Sequence, residues 1–184
     1  MKHKYTIAID PSINNCGYAV FRNKDLVEYN ILQPSSRKID YLSKAREIVR
    51  SIVDICENIS NYDHPWLEDT QLVTEIPQHF GGNVQKGFLA RESGDVYKLT
   101  FICGMIYNIT ENVIGYTPRE WKAQLPKCVV RARIARMKEF KNLPLYIKEK
   151  KHCTECKQTH HVNDMDHNIL DAIGIGIKHI YGSV

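Results

Sequence analysis

The sequence predicts a mixed α/β domain, a central five-stranded sheet flanked by helices, and three observations carry that expectation. Three short alternating apolar runs follow one another at 5–10, 18–21 and 26–32 and read as an antiparallel meander. Two later apolar runs alternate with stretches of helical periodicity, giving the order β-β-β-α-β-α-β-α. With 184 residues, 43% of them hydrophobic, the chain can bury a substantial core and suits a single domain spanning 1–184.

Each element has its own signal. Tyr5 to Asp10 alternates and stops on Asp10, where Pro11-Ser12 turns the chain into a second strand around Gly17. Arg22-Asn-Lys-Asp25 supplies the next turn, before Leu26 to Leu32. From about Ile39 to Ile59, the positions Leu42, Ala45, Ile48, Val49, Ile52, Val53, Cys56 and Ile59 recur at helical spacing. Asn61 to Asp69 reads as loop, and a fourth strand runs from about Gln71 to Ile76, closed by Pro77. Gly81-Gly82 precedes a second helix, about Gly87 to Asn108, and Val113 to Tyr116 forms the last strand. A short helix near Arg119 to Gln124 and a basic helix from about Lys127 to Phe140 come next. A Cys/His-rich loop then completes the segment to about 163, ahead of an amphipathic C-terminal helix. In that helix Ile169, Ala172, Ile173, Gly176, Ile177 and Ile180 form the stripe expected to pack on the sheet.

Composition excludes several classes of protein. No run of 18 apolar residues and no signal-peptide pattern is present, so the expectation is a cytoplasmic protein with no membrane partner. Six cysteines without a secretion signal argue for reduced thiols or metal ligation rather than a disulfide framework. The net charge of +4 is unevenly spread: residues 118–151 hold 11 Lys/Arg against 3 Asp/Glu, a local excess of +8, leaving −4 elsewhere. A charge run alone is commonly a solvated helix face. Beside an acidic site it also suits a phosphodiester substrate, with cations on the backbone and carboxylates holding metal at the cut.

Such an acidic site is suggested by Asp10, Glu75 and Asp171, three acids at the ends of apolar elements. If the fold brings them together, their mutual repulsion calls for divalent cations. Each has a plainer alternative: Asp10 as a turn-forming residue, Glu75 as a surface strand end, Asp171 as an exposed helix residue.

Four motifs in order, Ile-Ala-Ile-Asp10-Pro-Ser with Gly17, Thr-Glu75-Ile-Pro, Tyr116-Thr-Pro-Arg-Glu-Trp-Lys122 and Asp171-Ala-Ile-Gly, resemble those of RuvC-like Holliday-junction resolvases, particularly compact phage-type members. The resemblance implies a ribonuclease H-like fold in which Asp10, Glu75 and Asp171 hold two Mg²⁺ ions, with Mn²⁺ a substitute, and hydrolyse a DNA phosphodiester. Two cations roughly 3.5–4 Å apart activate water on one side of the phosphorus and stabilise the leaving oxygen on the other. Resolvases commonly carry a fourth ligand three residues before the final aspartate, where this chain has Asn168. Asn168 offers a carbonyl oxygen to Mg²⁺, and His167 is a candidate to act on the attacking water or orient a phosphate; both share the helix face of Asp171 by spacing. Asp164 or Asp166 reads as an N-cap.

For DNA, Lys122, Lys127, Arg131, Arg133 and Arg136 are candidates to neutralise phosphates, which positions rather than specifies. Phe80 is the candidate aromatic wedge for unstacked bases, and Trp121 reads as a buried anchor of the short helix or as a stacking platform. Cys153 and Cys156, with His160, His161 and His152 nearby, have ligand spacing for a structural zinc, the alternative being free thiols in a loop.

The expectation is thus a Mg²⁺-dependent, structure-selective endonuclease, a homodimer resolving four-way junctions with paired nicks. Rivals are a ribonuclease H-like nuclease for flapped or branched DNA or structured RNA, and a non-catalytic nucleic-acid-binding module with a zinc loop.

Overall fold

A computed structural model describes residues 3–59, 69–77, 94–123, 125–134, 136–137, 140, 147–152, 159–163 and 167–184. Strands β1 (Tyr5–Asp10), β2 (Cys16–Arg22), β3 (Asp25–Leu32), β4 (Thr70–Glu75) and β5 (Val113–Tyr116) form one sheet in the order β3-β2-β1-β4-β5. The first three strands pair antiparallel as the meander requires, and β1–β4 and β4–β5 pair parallel. Helix α1 (Tyr41–Ile59) leads from β3 to β4, and α2 (Asp95–Tyr107) lies between β4 and β5. Beyond β5 come α3 (Pro118–Lys122), α4 (Lys127–Ile134), the strands β6 (Ile147–His152) and β7 (Thr159–Asn163), and α5 (His167–Tyr181).

Strand alternation divides the core into two layers. Ile7, Ile9, Tyr18, Val20 and Leu72 point to one face, where Ala45, Ile48, Ile52 and Cys56 of α1 and Ile102 and Ile106 of α2 cover them. Ala8, Ala19, Phe21 and Val73 point to the other, against Trp121, Val130, Ile134, Phe140 and the α5 residues Ala172, Ile173, Ile175 and Ile177. The second face is built from small residues near its centre, so α5 can lie close on the sheet. Gly17 makes the tightest contact: a Cβ there would collide with the Asn168 carbonyl and stand 2.9 Å from the Ile169 nitrogen. Gly176 likewise accommodates the Phe21 ring.

Local signals explain the helix starts. Asp40 caps α1 by accepting from the amides of Leu42 and Ser43, both at 3.0 Å. The Ser43 hydroxyl and amide hold its carboxyl below the usual value. Thr117 and Glu120 form a reciprocal capping box around Pro118, which starts α3 abruptly at the end of β5.

The structure departs from the sequence reading in four places. The segment expected to be a Cys/His-rich loop contains two paired antiparallel strands, β6 and β7, with His152 opposite Thr159. Their sequences, Ile-Lys-Glu-Lys-Lys-His and Thr-His-His-Val-Asn, carry no apolar alternation from which a strand could be read. The basic helix ends at Ile134 rather than reaching Phe140, and among the described residues beyond it the amides of Arg136, Met137 and Phe140 make i→i−3 bonds. Helix α2 begins at Asp95, while the expected start near Gly87 lies outside the described residues. Finally, α5 is buried on more than one stripe: Leu170, Gly174 and Ile175 are enclosed too, since α3 and α4 cover the side turned away from the sheet.

Candidate active site

Asp10 and Glu75 come together because their strands are neighbours and parallel. Ile9 pairs with Thr74, so the next residues, Asp10 and Glu75, emerge side by side at the carboxyl ends of β1 and β4. Alternation puts Asp10 on the face of Ala8 and Glu75 on the face of Val73, the face covered by α3, α4 and α5. Gly17 is the cross-strand partner of Asp10, and the first turn of α5 rests directly on it. The contact that removes Gly17's room for a side chain is therefore what brings Asn168 and Asp171 to the strand end carrying Asp10.

Asp171 is 2% exposed and Asn168 9% exposed, whereas His167 is exposed at the helix start. His167 thus diverges from the shared face that its spacing suggested. The Asn168 amide nitrogen donates to the Asn15 carbonyl at 2.6 Å, tying α5 to the turn between β1 and β2. That bond orients the amide, since only its nitrogen can donate to a carbonyl. The same turn is held by Gln33, whose amide donates to the Asn15 side chain, and by Lys44, which donates to Asn14.

Glu75 is held from two sides. Its backbone carbonyl accepts from the Cys103 thiol at 3.5 Å, and its Oε2 accepts from the Trp121 indole at 2.6 Å. Burial first, then the charges of Glu75 and Asp10, push the Cys103 thiol up to about 12. Burial also raises Cys16 to about 12, with Asp10 adding to the shift. Both thiols stay protonated at neutral pH and act as small apolar residues beneath the acids.

The donor set fits a hard divalent cation in kind: carboxylate oxygens from three elements and an amide oxygen from a fourth position. Among the described residues, however, no three His, Cys, Asp or Glu side chains stand grouped as a cation site. The backbone thus brings the acids to one end of the sheet, and holding a cation would require their side chains to turn toward it.

Trp121 is 3% exposed, as the buried-anchor alternative required, and its bond to Glu75 went unread in the sequence. The Thr117-x-x-Glu120 capping box was a readable signal that α3 starts at a defined point and so aims Trp121. Lys122 lies with its ammonium 5.0 Å from the Trp121 ring centre. Arg133 donates to the Val184 carbonyl at 3.2 Å, and Arg136 is exposed. Phe80, Cys153 and Cys156 lie outside the described residues, as do the side chains of Lys127, Arg131, His160 and His161.

The sheet order and its mixed parallel and antiparallel pairing, with helices on both faces, give a ribonuclease H-like α/β fold. Within that class the fold is RuvC-like. The structure is similar to Thermus thermophilus RuvC in complex with Holliday junction substrate, with a TM-score of 0.61, 17% identity, and 98% of this chain and 95% of that chain covered. A second Thermus thermophilus RuvC structure gives a TM-score of 0.59 at 14% identity, covering 97% and 95%. No protein-family profile and no curated protein matches the sequence.

Proposed function

We propose that this protein is a divalent-metal-dependent, structure-selective DNA endonuclease that cuts four-way junctions by paired nicks, leaving 5′-phosphate and 3′-hydroxyl ends. The observation that carries the reading is the convergence of Asp10, Glu75 and the Asp171 helix at one end of a RuvC-like sheet. Asp10, Glu75 and Asp171, with the Asn168 oxygen, would hold Mg²⁺. The bound cations would activate water and stabilise the leaving oxygen. The chain's own residues orient the ligands: Asn15 fixes the Asn168 amide, and Trp121 and Cys103 engage Glu75. The basic segment from Arg119 to Lys151 supplies phosphate contacts and thus affinity.

A second reading, a nucleic-acid-binding module without catalysis, is favoured by Asn168 in place of a fourth acid and by the ungrouped carboxylates. One assay separates the two. The protein is incubated with a four-way junction, a flap, a duplex and an RNA–DNA hybrid, each with Mg²⁺ or EDTA. Symmetric junction nicks in Mg²⁺ alone support the resolvase; binding without cutting in every lane supports the module; flap or hybrid cutting in preference to junctions redirects the substrate.

A further inference from the structure

We propose that Trp121 is a positioning residue for the metal-binding acids, setting the carboxylate plane of Glu75 and its spacing from the helix of Asp171; this rests on the nuclease reading above. Two contacts on opposite edges of one side chain carry the inference. On one edge the indole nitrogen donates to Glu75 Oε2 at 2.6 Å, a short bond to a charged acceptor. On the other, the ring lies against Gly174, where a Cβ would stand 2.7 Å from the indole Cζ3. Gly174 is three residues beyond Asp171, on the same side of α5. The indole therefore fills the space between the second acid and the helix that carries the third.

Trp121 cannot drift. It is 3% exposed and is the fourth residue of a five-residue helix begun by the Thr117–Glu120 capping box, whose Glu120 oxygen accepts from the Thr117 amide at 2.7 Å. That box stands immediately beyond β5, and β5 pairs with β4 so that Tyr116 faces Glu75. Strand register and capping box thus bring the indole to Glu75 through a path of few soft torsions. A carboxylate offers about four lone-pair positions. The indole N–H takes one of them and so restricts the planes the carboxylate can adopt as it turns toward a cation.

Trp121→Phe keeps an aromatic ring in the core, removes the donor and loosens the contact with Gly174 that the indole makes through Cζ3 and Cε3. Partners that orient metal ligands typically contribute about 10–100-fold to metal affinity. We expect Mn²⁺ affinity, read from free Mn²⁺ by electron paramagnetic resonance, to weaken about 10-fold. The Mg²⁺ concentration for half-maximal junction cleavage should rise by a similar factor, with junction binding in EDTA unchanged. Gly174→Ala, which keeps the N–H and displaces the ring, should move both quantities in the same direction.

A measurement on folded wild-type protein stands beside these variants. The Trp121 indole ¹⁵N–H resonance should sit downfield, shift on Mn²⁺-free Mg²⁺ titration and move upfield in Glu75→Gln. Mn²⁺ affinity equal to or tighter than wild type in Trp121→Phe would overturn the proposal, as would an indole resonance indifferent to both Mg²⁺ and Glu75→Gln. Wild-type protein that binds metal through Glu75 but cuts no nucleic acid would refute the nuclease reading instead, which separates the two failures.

Discussion

Gly17→Ala is the sharpest perturbation of the way the site is assembled. The added methyl would meet backbone, the Asn168 carbonyl and the Ile169 nitrogen at 2.9 Å, and backbone cannot rotate aside as a side-chain tip can. Restoring ordinary contact at 3.4 Å or more makes the start of α5 retreat from β2 by about 1 Å, a misplacement of the size that costs roughly 100-fold in rate when it separates reacting groups. Overpacking of this kind costs about 1–3 kcal/mol, which lowers Tm by several degrees, roughly 2–4 °C per kcal/mol in a chain of this size. The assay is single-turnover junction cleavage at saturating Mg²⁺, with Tm by circular dichroism and junction binding in EDTA. Gly104→Ala is the control: it lies on the exposed side of α2 with nothing within 4 Å of a new Cβ, so it should leave cleavage unchanged and raise stability slightly. A Gly17→Ala protein that cuts at the wild-type rate would refute the claim that the Gly17 contact sets the distance between Asp10 and Asp171.

Three further expectations follow from the same account. A four-way junction has approximate two-fold symmetry, so one site per protomer in a C₂ dimer places opposed nicks; sedimentation showing only monomer, free and junction-bound, would favour a flap substrate. Purified without chelator, the protein should carry about one zinc per chain through Cys153, Cys156 and one or two of His152, His160 and His161. Elemental analysis tests this, and zinc content unchanged in Cys153→Ser/Cys156→Ser would return these residues to free thiols. His179, beside the Tyr116 hydroxyl at 3.2 Å, is held below its ordinary value of 6.5 chiefly by burial, with a contribution from His3. Its folded pKa is depressed, so its stabilising contribution is complete above 6.5 and is lost as pH falls through the folded value. Tm should therefore decline below pH 6.5, and His179→Gln should flatten that decline.

The strands, and the position of Asp10 and Glu75 at strand ends, were readable because their signals are local. Asp10 ends an alternating run and Glu75 an apolar one, which the sheet places in adjacent parallel register, and Val113–Tyr116 stands where its apolar run and Thr117-Pro118 put it. Gly17 was visible as a residue but not as a contact, since its cause, the Asn168 backbone, lies far along the chain. The same distance hid the bond between Trp121 and Glu75: sequence could offer burial or stacking for the indole, and only the packing of α3 beside β4 selects its acceptor. His167 and Asn168 show how spacing can mislead at a helix terminus. By periodicity both share Asp171's side, yet at the first turn His167 faces solvent while Asn168 turns onto Asn15. Strands β6 and β7 carried no apolar alternation to read.

Separation of binding from cutting in Asp10→Asn tests the central claim most directly. Wild-type and variant protein are compared for junction affinity in EDTA and for single-turnover cleavage in Mg²⁺, with Glu75→Gln and Asp171→Asn alongside. Each acid variant should bind the junction with affinity close to wild type and fail to cut it, because on the proposed function the carboxylates would hold the cations and the basic segment would hold the DNA. Wild-type cleavage by any one of them would remove that acid from the site, and undiminished cleavage by Asp10→Asn would contradict the account as a whole.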